Sequence, residues 1–275
     1  MEIQRIAAFS KGNEGGNPAG VVIGETLPDP ATMRRVAAEV GFSETAFAAP
    51  NGTGWRVRYF SPESEVPFCG HATIALGMAL AKANGDGIFA LTLNDADIVV
   101  EGRREGDLFA AALQSPPTNS QAAPEALLST ALDLFGYTEN QIDMRIPPAI
   151  ANAGATHLVL ALSDRRALAD MSYNQDAGRK FMDGNGLVTI NLVHAETNQV
   201  FHCRNPFASG GVYEDPATGA AAAALAGYLR DIDWPHGGAI DIVQGEDMGV
   251  PSRLKAEIPS ESGGSIRVSG TARVM

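Results

Sequence analysis

The chain has 275 residues, 45% of them apolar and 19% charged, which gives room for one large domain or two of ordinary size. Its formal charge of -12 argues against nucleic acid or an anionic membrane as partner, although a helix terminus can still attract a small carboxylate locally. Cys69 and Cys203 make no disulfide framework, no basic and apolar leader opens the chain, and no apolar run suits a bilayer, so the expected compartment is the cytoplasm.

Residues 1–10 set Ile3, Arg5, Ala7 and Phe9 against Glu2, Gln4 and Ile6, an alternation that predicts a strand. The run Gly15-Gly16-Asn17-Pro18-Ala19-Gly20 demands unusual backbone angles. It lacks both the GxGxxG spacing and the terminal Gly-Lys-Ser/Thr of a phosphate loop, and reads as a tight turn feeding a strand at 21–23. Asp29-Pro30 opens a helix that passes through Met33, Val36, Ala37 and Val40 and stops at Gly41. Residues 42–48 alternate again, predicting a strand with Phe42, Glu44, Ala46 and Ala48 on one face. A carboxylate among such neighbours loses solvent and becomes a stronger base; the same pattern also suits an acid on the open face of an edge strand.

A strand at 55–60 leads into the stretch around which the chain is organised, from Arg58 to Leu80. From His71 onward this stretch is small and apolar on nearly every side, and a helix without a polar face belongs inside a protein. Cys69-Gly70-His71 therefore sits where a loop enters a buried helix, with unpaired amides and the positive end of the macrodipole turned outward.

Short strands are expected at 88–93, 98–101 and 108–113, and Ser115-Pro116-Pro117 with Thr118-Asn119-Ser120 is the best linker candidate. Residues 126–135 predict an amphipathic helix closed by Gly136, and 150–162 a strand interrupted by Gly154. His157 in that strand reads more readily as a locally hydrogen-bonded histidine than as a ligand. Short helices at 163–171 and 176–182 precede strands at 187–194 and 199–204. Glu214-Asp215-Pro216-Ala217-Thr218-Gly219 then opens a second apolar helix reaching Leu229, and strands at 239–244, 252–258 and 266–274 close the chain.

The two apolar helices belong to a long-period repeat. Arg58 with Arg204 and Val66 with Val212 match at one offset; Ala72-Thr73 with Ala217-Thr218 and Leu80 with Leu225 match one residue out of step. Arginine strand, loop, reactive turn and buried helix thus occur twice, which predicts two similar lobes, each wrapped around its own helix. The expected division is an N-terminal lobe of residues 1–114, completed by the last strand at about 266–275, and a C-terminal lobe of residues 115–265. The turns at Cys69-Gly70-His71 and Glu214-Asp215-Pro216 are then expected to meet at the seam, a usual place for a small-molecule site.

The histidines and cysteines show no metal-ligand spacing, and no GxSxG elbow is present. Acid–base chemistry remains: a carboxylate on an apolar strand, a His and a Cys at one helix N-terminus, and an Asp at the other. Cys69 suits a thiolate at a helix N-terminus or a small buried thiol equally well. The second turn offers Asp215-Pro216 in place of a cysteine, so no pair of thiols can share a proton transfer.

Four stretches in this order, Gly16-Asn17-Pro18-Ala19-Gly20-Val21-Val22, Gly41-Phe42-Ser43-Glu44-Thr45-Ala46-Phe47, Cys69-Gly70-His71-Ala72-Thr73 and Glu214-Asp215-Pro216-Ala217-Thr218-Gly219, resemble the PhzF family of phenazine biosynthesis over almost the whole chain. The resemblance implies an α+β fold of the diaminopimelate epimerase type: two pseudo-symmetric lobes, each a curved β-sheet or barrel around a central apolar helix. It implies an isomerase with no cofactor and no metal, in which a glutamate moves a proton between carbons of a cyclic hydroxy-amino acid. That glutamate matches Glu44, and its accompanying histidine and aspartate match His71 and Asp215. Asn17, Gly70, Thr218, Gly219 and Ala220 fall at the expected substrate-binding positions, Ala220 where the family commonly has serine. A homodimer acting on a small carboxylate is expected, without nucleic acid or membrane as partner. Two rival readings are a racemase or epimerase using Glu44 or Cys69 as one of two bases, and a non-catalytic binding protein on the same scaffold.

Overall fold

The computed structural model describes all 275 residues, which fall into two compact units. The first comprises Met1–Gln114 with Ser269–Met275, the second Ser115–Val268.

The first unit contains β1 (Gln4–Ser10), β2 (Asn17–Ile23), α1 (Pro30–Val40), β3 (Thr45–Asn51), β4 (Gly54–Phe60), β5 (Glu65–Val66), α2 (Gly70–Asn84), β6 (Gly87–Thr92), β7 (Asp97–Glu105) and most of β8 (Leu108–Pro117). The end of the last strand pairs antiparallel with β1, from Ile6 opposite Val274 to Ser10 opposite Thr271. From there the order is β1, β2, β3, β4, β6, β7 and β8, with parallel pairing only at β2–β3 and β4–β6. The expected cap of α1 is present: Asp29 Oδ1 accepts from Thr32 N at 3.0 Å, and Gly41 ends the helix with φ 75°. Its buried face, Met33, Val36, Ala37 and Val40, packs with Val22, Phe47 and Phe60.

Helix α2 lies against β1, β2, β3, β6 and β7, and every side chain from His71 to Ala81 is buried. The lack of a polar stripe in its sequence is explained by sheet on several sides. Two glycines set how near the sheet can come: a Cβ on Gly77 would lie 2.6 Å from Val100 Cγ2, and one on Gly102 would lie 2.2 Å from the Gly77 carbonyl oxygen.

The second unit holds β9 (Asn119–Ala122), α3 (Glu125–Phe135), β10 (Ala149–Asn152), β11 (Thr156–Ala161), α4 (Arg165–Ala169), α5 (Gln175–Gly184), β12 (Thr189–Ala195), β13 (Val200–Pro206), β14 (Glu214–Asp215), α6 (Gly219–Asp231), β15 (Ala239–Gln244), β16 (Ser252–Glu257) and the start of β17 (Ser265–Val274). Its strand order is β9, β10, β11, β12, β13, β15 and β16, parallel only at β11–β12 and β13–β15. The directions from β10 to β16 repeat those from β1 to β7. Helix α6 is the counterpart of α2 and is buried from Ala221 to Leu229.

Strand pairing also fixes the register of the repeat, and it corrects the sequence alignment. Arg58 and Glu65 form a two-pronged ion pair, and so do Arg204 and Glu214. Glu65 lies opposite Phe60, and Glu214 opposite Pro206. Residues 61–64 connect the first pair of strands and residues 207–213 the second, so the second loop is three residues longer. Val66 therefore corresponds to Asp215, Cys69 to Thr218, His71 to Ala220, and Leu80 to Leu229. The expected partners Val212, Ala217-Thr218 and Leu225 are out of register.

Two further expectations are corrected. Residues 115–120 are no free linker, because β8 continues to Pro117 and β9 begins at Asn119. Residues 150–162 form two antiparallel strands, β10 and β11, turning at Gly154 with φ 92°.

Candidate active site

Glu44 stands one residue before β3, not within it, and its carbonyl accepts from Gly20 N at 3.1 Å. The expected face shared with Phe42 does not form. Phe42 turns to the apolar cluster beneath α1, while the Glu44 side chain, 15% exposed, meets His71. Glu44 Oε2 lies 3.4 Å from His71 Nε2, and Ser43 Oγ is at the same distance from that nitrogen. Cys69 Sγ lies 3.4 Å from His71 Nδ1, so the imidazole is flanked by a carboxylate, a hydroxyl and a thiol.

The local fold explains this meeting. Cys69 is the N-cap of α2 and His71 its second residue, which places both at the amide-bearing end of the helix. The first intrahelical bond runs from Thr73 N to Cys69 O at 3.0 Å, leaving Gly70, His71 and Ala72 without acceptors inside the helix. Thr73 Oγ1 also donates to Cys69 O, at 2.7 Å, so the Tyr59 hydroxyl, 2.7 Å from Thr73 Oγ1, donates to it. Burial pushes the Tyr59 phenol above its ordinary range, which keeps it a neutral donor. Asn17, the first residue of β2, is 2% exposed and pairs with Ala8 within this same unit.

The second unit carries the other expected residues at the start of α6. Thr218 is the N-cap, and its Oγ1 donates to Asp215 Oδ2 at 2.6 Å. Asp215 is buried in β14. The first helical bond, Ala222 N to Thr218 O at 3.0 Å, leaves the amides of Gly219, Ala220 and Ala221 without intrahelical acceptors. The first unit thus joins Glu44 to His71, and the second joins Asp215, Thr218, Gly219 and Ala220.

Ser43 and Gln244 were not singled out from the sequence. Ser43 adjoins Glu44, and that adjacency is a usable signal. Gln244 reaches Asp215 and Thr218 from the end of β15, which no local pattern reveals.

The remaining candidates are structural. His157 is fully buried, and its Nδ1 lies 2.8 Å from Thr189 Oγ1. Thr189 Oγ1 donates onward to Asn205 Oδ1 at 3.0 Å, so Nδ1 carries the ring proton. Burial lowers the His157 pKa to about 3, and it stays neutral as a core residue. Burial likewise pushes the Cys203 thiol up and keeps it inert.

Two units with matching strand directions, each closed on an apolar helix whose N-terminus carries polar side chains, define a diaminopimelate epimerase-like α+β fold. The family described as phenazine biosynthesis-like protein matches residues 6–275, and the chain belongs to it. A trans-2,3-dihydro-3-hydroxyanthranilate isomerase from Pseudomonas aeruginosa is 32% identical, over 96% of this chain and 94% of that protein. An uncharacterized isomerase from Mesorhizobium japonicum is 31% identical, over 94% and 91% respectively. The crystal structure of a PhzF-family phenazine biosynthesis protein from Bacillus anthracis superposes with a TM-score of 0.85 at 21% identity, covering 100% of this chain and 98% of that one. The chain is an isomerase of this family. No helix in it is long and apolar enough to cross a membrane.

Proposed function

We propose that the protein moves a proton between carbon atoms of a small cyclic carboxylate without a cofactor, and that Glu44 carries the proton. The observation behind this reading is the pairing of Glu44 with His71, 3.4 Å apart, at the amide-bearing end of a buried helix. A carbon acid yields its proton only where the developing negative charge is held, and oriented amides do this without reorganising. His71 orients the Glu44 carboxylate and exchanges hydrogen bonds with the substrate. Asp215 and the amides of Gly219 and Ala220 hold the substrate's polar groups, assisted by Asn17, Gly70 and Thr218. The relative from Pseudomonas aeruginosa supplies the first compound to try, trans-2,3-dihydro-3-hydroxyanthranilate.

Glu44→Gln keeps the size of the side chain and one carbonyl-type oxygen but accepts no proton at working pH. It is expected to bind substrate nearly as wild type does and to turn over at least about a hundredfold more slowly. Cys69→Ser is expected to keep most of kcat, because the counterpart of Cys69 in the other unit is Thr218 and no thiol pair exists. A Glu44→Gln protein with wild-type kcat would place the base elsewhere, first at His71. Equal losses in the two variants would favour the thiol.

A further inference from the structure

Gln244 ends β15 and is 2% exposed, yet all its polar atoms are engaged by one short turn. Its Oε1 accepts from Thr218 N at 3.2 Å. Its Nε2 donates to Asp215 O at 2.7 Å and to Thr218 Oγ1 at 3.0 Å. The second of these bonds has a directional effect. A hydroxyl that accepts from an amide has its own hydrogen free for another acceptor, and Thr218 Oγ1 gives that hydrogen to Asp215 Oδ2. Gln244 thereby fixes the carboxylate of Asp215 through Thr218, and the backbone of Asp215 directly.

The next residue presses on the same turn. Gly245 has φ 76°, and a Cβ there would lie 2.8 Å from the Pro216 carbonyl oxygen and 2.2 Å from that of Val250. Gln244 and Gly245 together form a cradle for residues 215–218, one by side-chain bonds and the other by bringing backbone close.

The other unit shows that the fold does not require this cradle. β6 runs parallel to β4 as β15 runs parallel to β13, and the matched registers place Leu93, just past β6, where Gln244 stands. Leu93 is buried and offers no polar group to the turn before α2. That turn is held instead by Thr73 and Tyr59 from within its own unit, while Asn94, next after Leu93, donates to Glu65 Oε1 at 2.6 Å at the start of the approach to the helix. The glutamine is present only on the side that carries Asp215.

Resting on the function proposed above, we infer that Gln244, supported by Gly245, is a positioning residue that holds Asp215 and the N-terminal amides of α6 in substrate-binding geometry. It touches the substrate's binding groups and not the substrate.

The test compares wild type, Gln244→Met and Gly245→Ala by three readouts. These are hydrogen exchange at the Thr218 amide, calorimetric binding of anthranilate as a stable aromatic carboxylate, and the KM and kcat for trans-2,3-dihydro-3-hydroxyanthranilate. Gln244→Met is expected to fold, to lose protection at Thr218, and to raise both KM and the anthranilate dissociation constant at least about tenfold, with a smaller change in kcat. Gly245→Ala displaces Pro216 by another route and should raise KM in the same direction, so the inference stays open to refutation if the first variant fails to fold. A folded Gln244→Met protein with wild-type KM and anthranilate affinity would reduce Gln244 to a structural role and overturn the inference. Retained protection at Thr218 would overturn it too. Wild type that neither binds anthranilate nor converts the substrate would instead overturn the proposed function, and the inference with it.

Discussion

At the scale of single residues, the two helix N-termini carry different side chains. The register places Ala220 where the first unit has His71, and Thr218 where it has Cys69. Titratable side chains gather around α2, whereas the start of α6 offers amides and one hydrogen-bonded carboxylate. The resemblance to the PhzF family implies serine at the position of Ala220, and under the function proposed above a hydroxyl there would add one hydrogen bond to an anionic substrate. Such a bond contributes about 1.5–3 kcal/mol. Ala220→Ser is therefore expected to raise kcat/KM for trans-2,3-dihydro-3-hydroxyanthranilate by about tenfold or more. Steady-state kinetics on the purified variant settles it: an unchanged or lower value would mean that this pocket is shaped for a different compound. The candidate residues stood out because glycine, histidine and acid runs are conspicuous in an apolar sequence. Their neighbours did not, since the Glu44–His71 pairing spans 27 positions and depends on how β3 begins.

At the scale of elements, the apolar helices and their sheet surroundings were readable, because a helix with no polar face has few other places to go. The repeat was also readable, but its register was misaligned. Three extra residues in the loop before Glu214 shift every later match, as the pairing of Phe60 with Glu65 and Pro206 with Glu214 shows, and the shared Glu-x-Pro-x-x-Gly of residues 65–70 and 214–219 carries the same register in the sequence. The closeness of helix to sheet makes a separate prediction. At Gly77 a methyl group would meet Val100 Cγ2 at 2.6 Å, Ala111 Cβ at 3.2 Å and the Glu101 carbonyl oxygen at 3.2 Å. Helix propensity favours alanine over glycine by about 1 kcal/mol. Overpacking opposes it with about 1–3 kcal/mol, and the close contact includes backbone that cannot swing aside. Gly77→Ala is thus expected to lower the urea midpoint with an unchanged m-value. Under the function proposed above it is also expected to reduce kcat, because a displacement of α2 would carry His71 away from Glu44. A variant as stable as wild type would show that the sheet yields more readily than its packing indicates.

At the scale of the whole molecule, the dependence of stability on acid follows from groups that are titrated differently in the folded and unfolded chain. Hydrogen bonds and ion pairs hold Glu65 and Asp143 below the ordinary carboxylate range. A carboxylate lowered in this way stabilises the fold above its unfolded pKa of about 4, and that stabilisation is lost only below it. His157 acts at higher pH. Its ordinary value is 6.5 and burial depresses it to about 3, so between these limits the unfolded chain binds a proton that the folded chain refuses. Stability is therefore full above about pH 6.5 and falls as pH drops, by about 1.4 kcal/mol per unit for one such group. His236, also lowered, mainly by burial, adds to the fall in the same direction. The neighbours bonded to His157 and beyond it, Thr189, Asn205 and Asn191, are uncharged, and burial alone sets the direction of its shift. The measurement is the urea midpoint of wild type and His157→Gln from pH 7.5 to pH 4.5. The amide of glutamine can still donate to Thr189 but does not titrate. The variant is expected to be less stable than wild type at pH 7.5 and to lose less as the pH falls, so the two curves converge toward pH 4.5. Parallel curves would mean that His157 takes up its proton without unfolding the core, and that the acid sensitivity of this fold lies in its carboxylates.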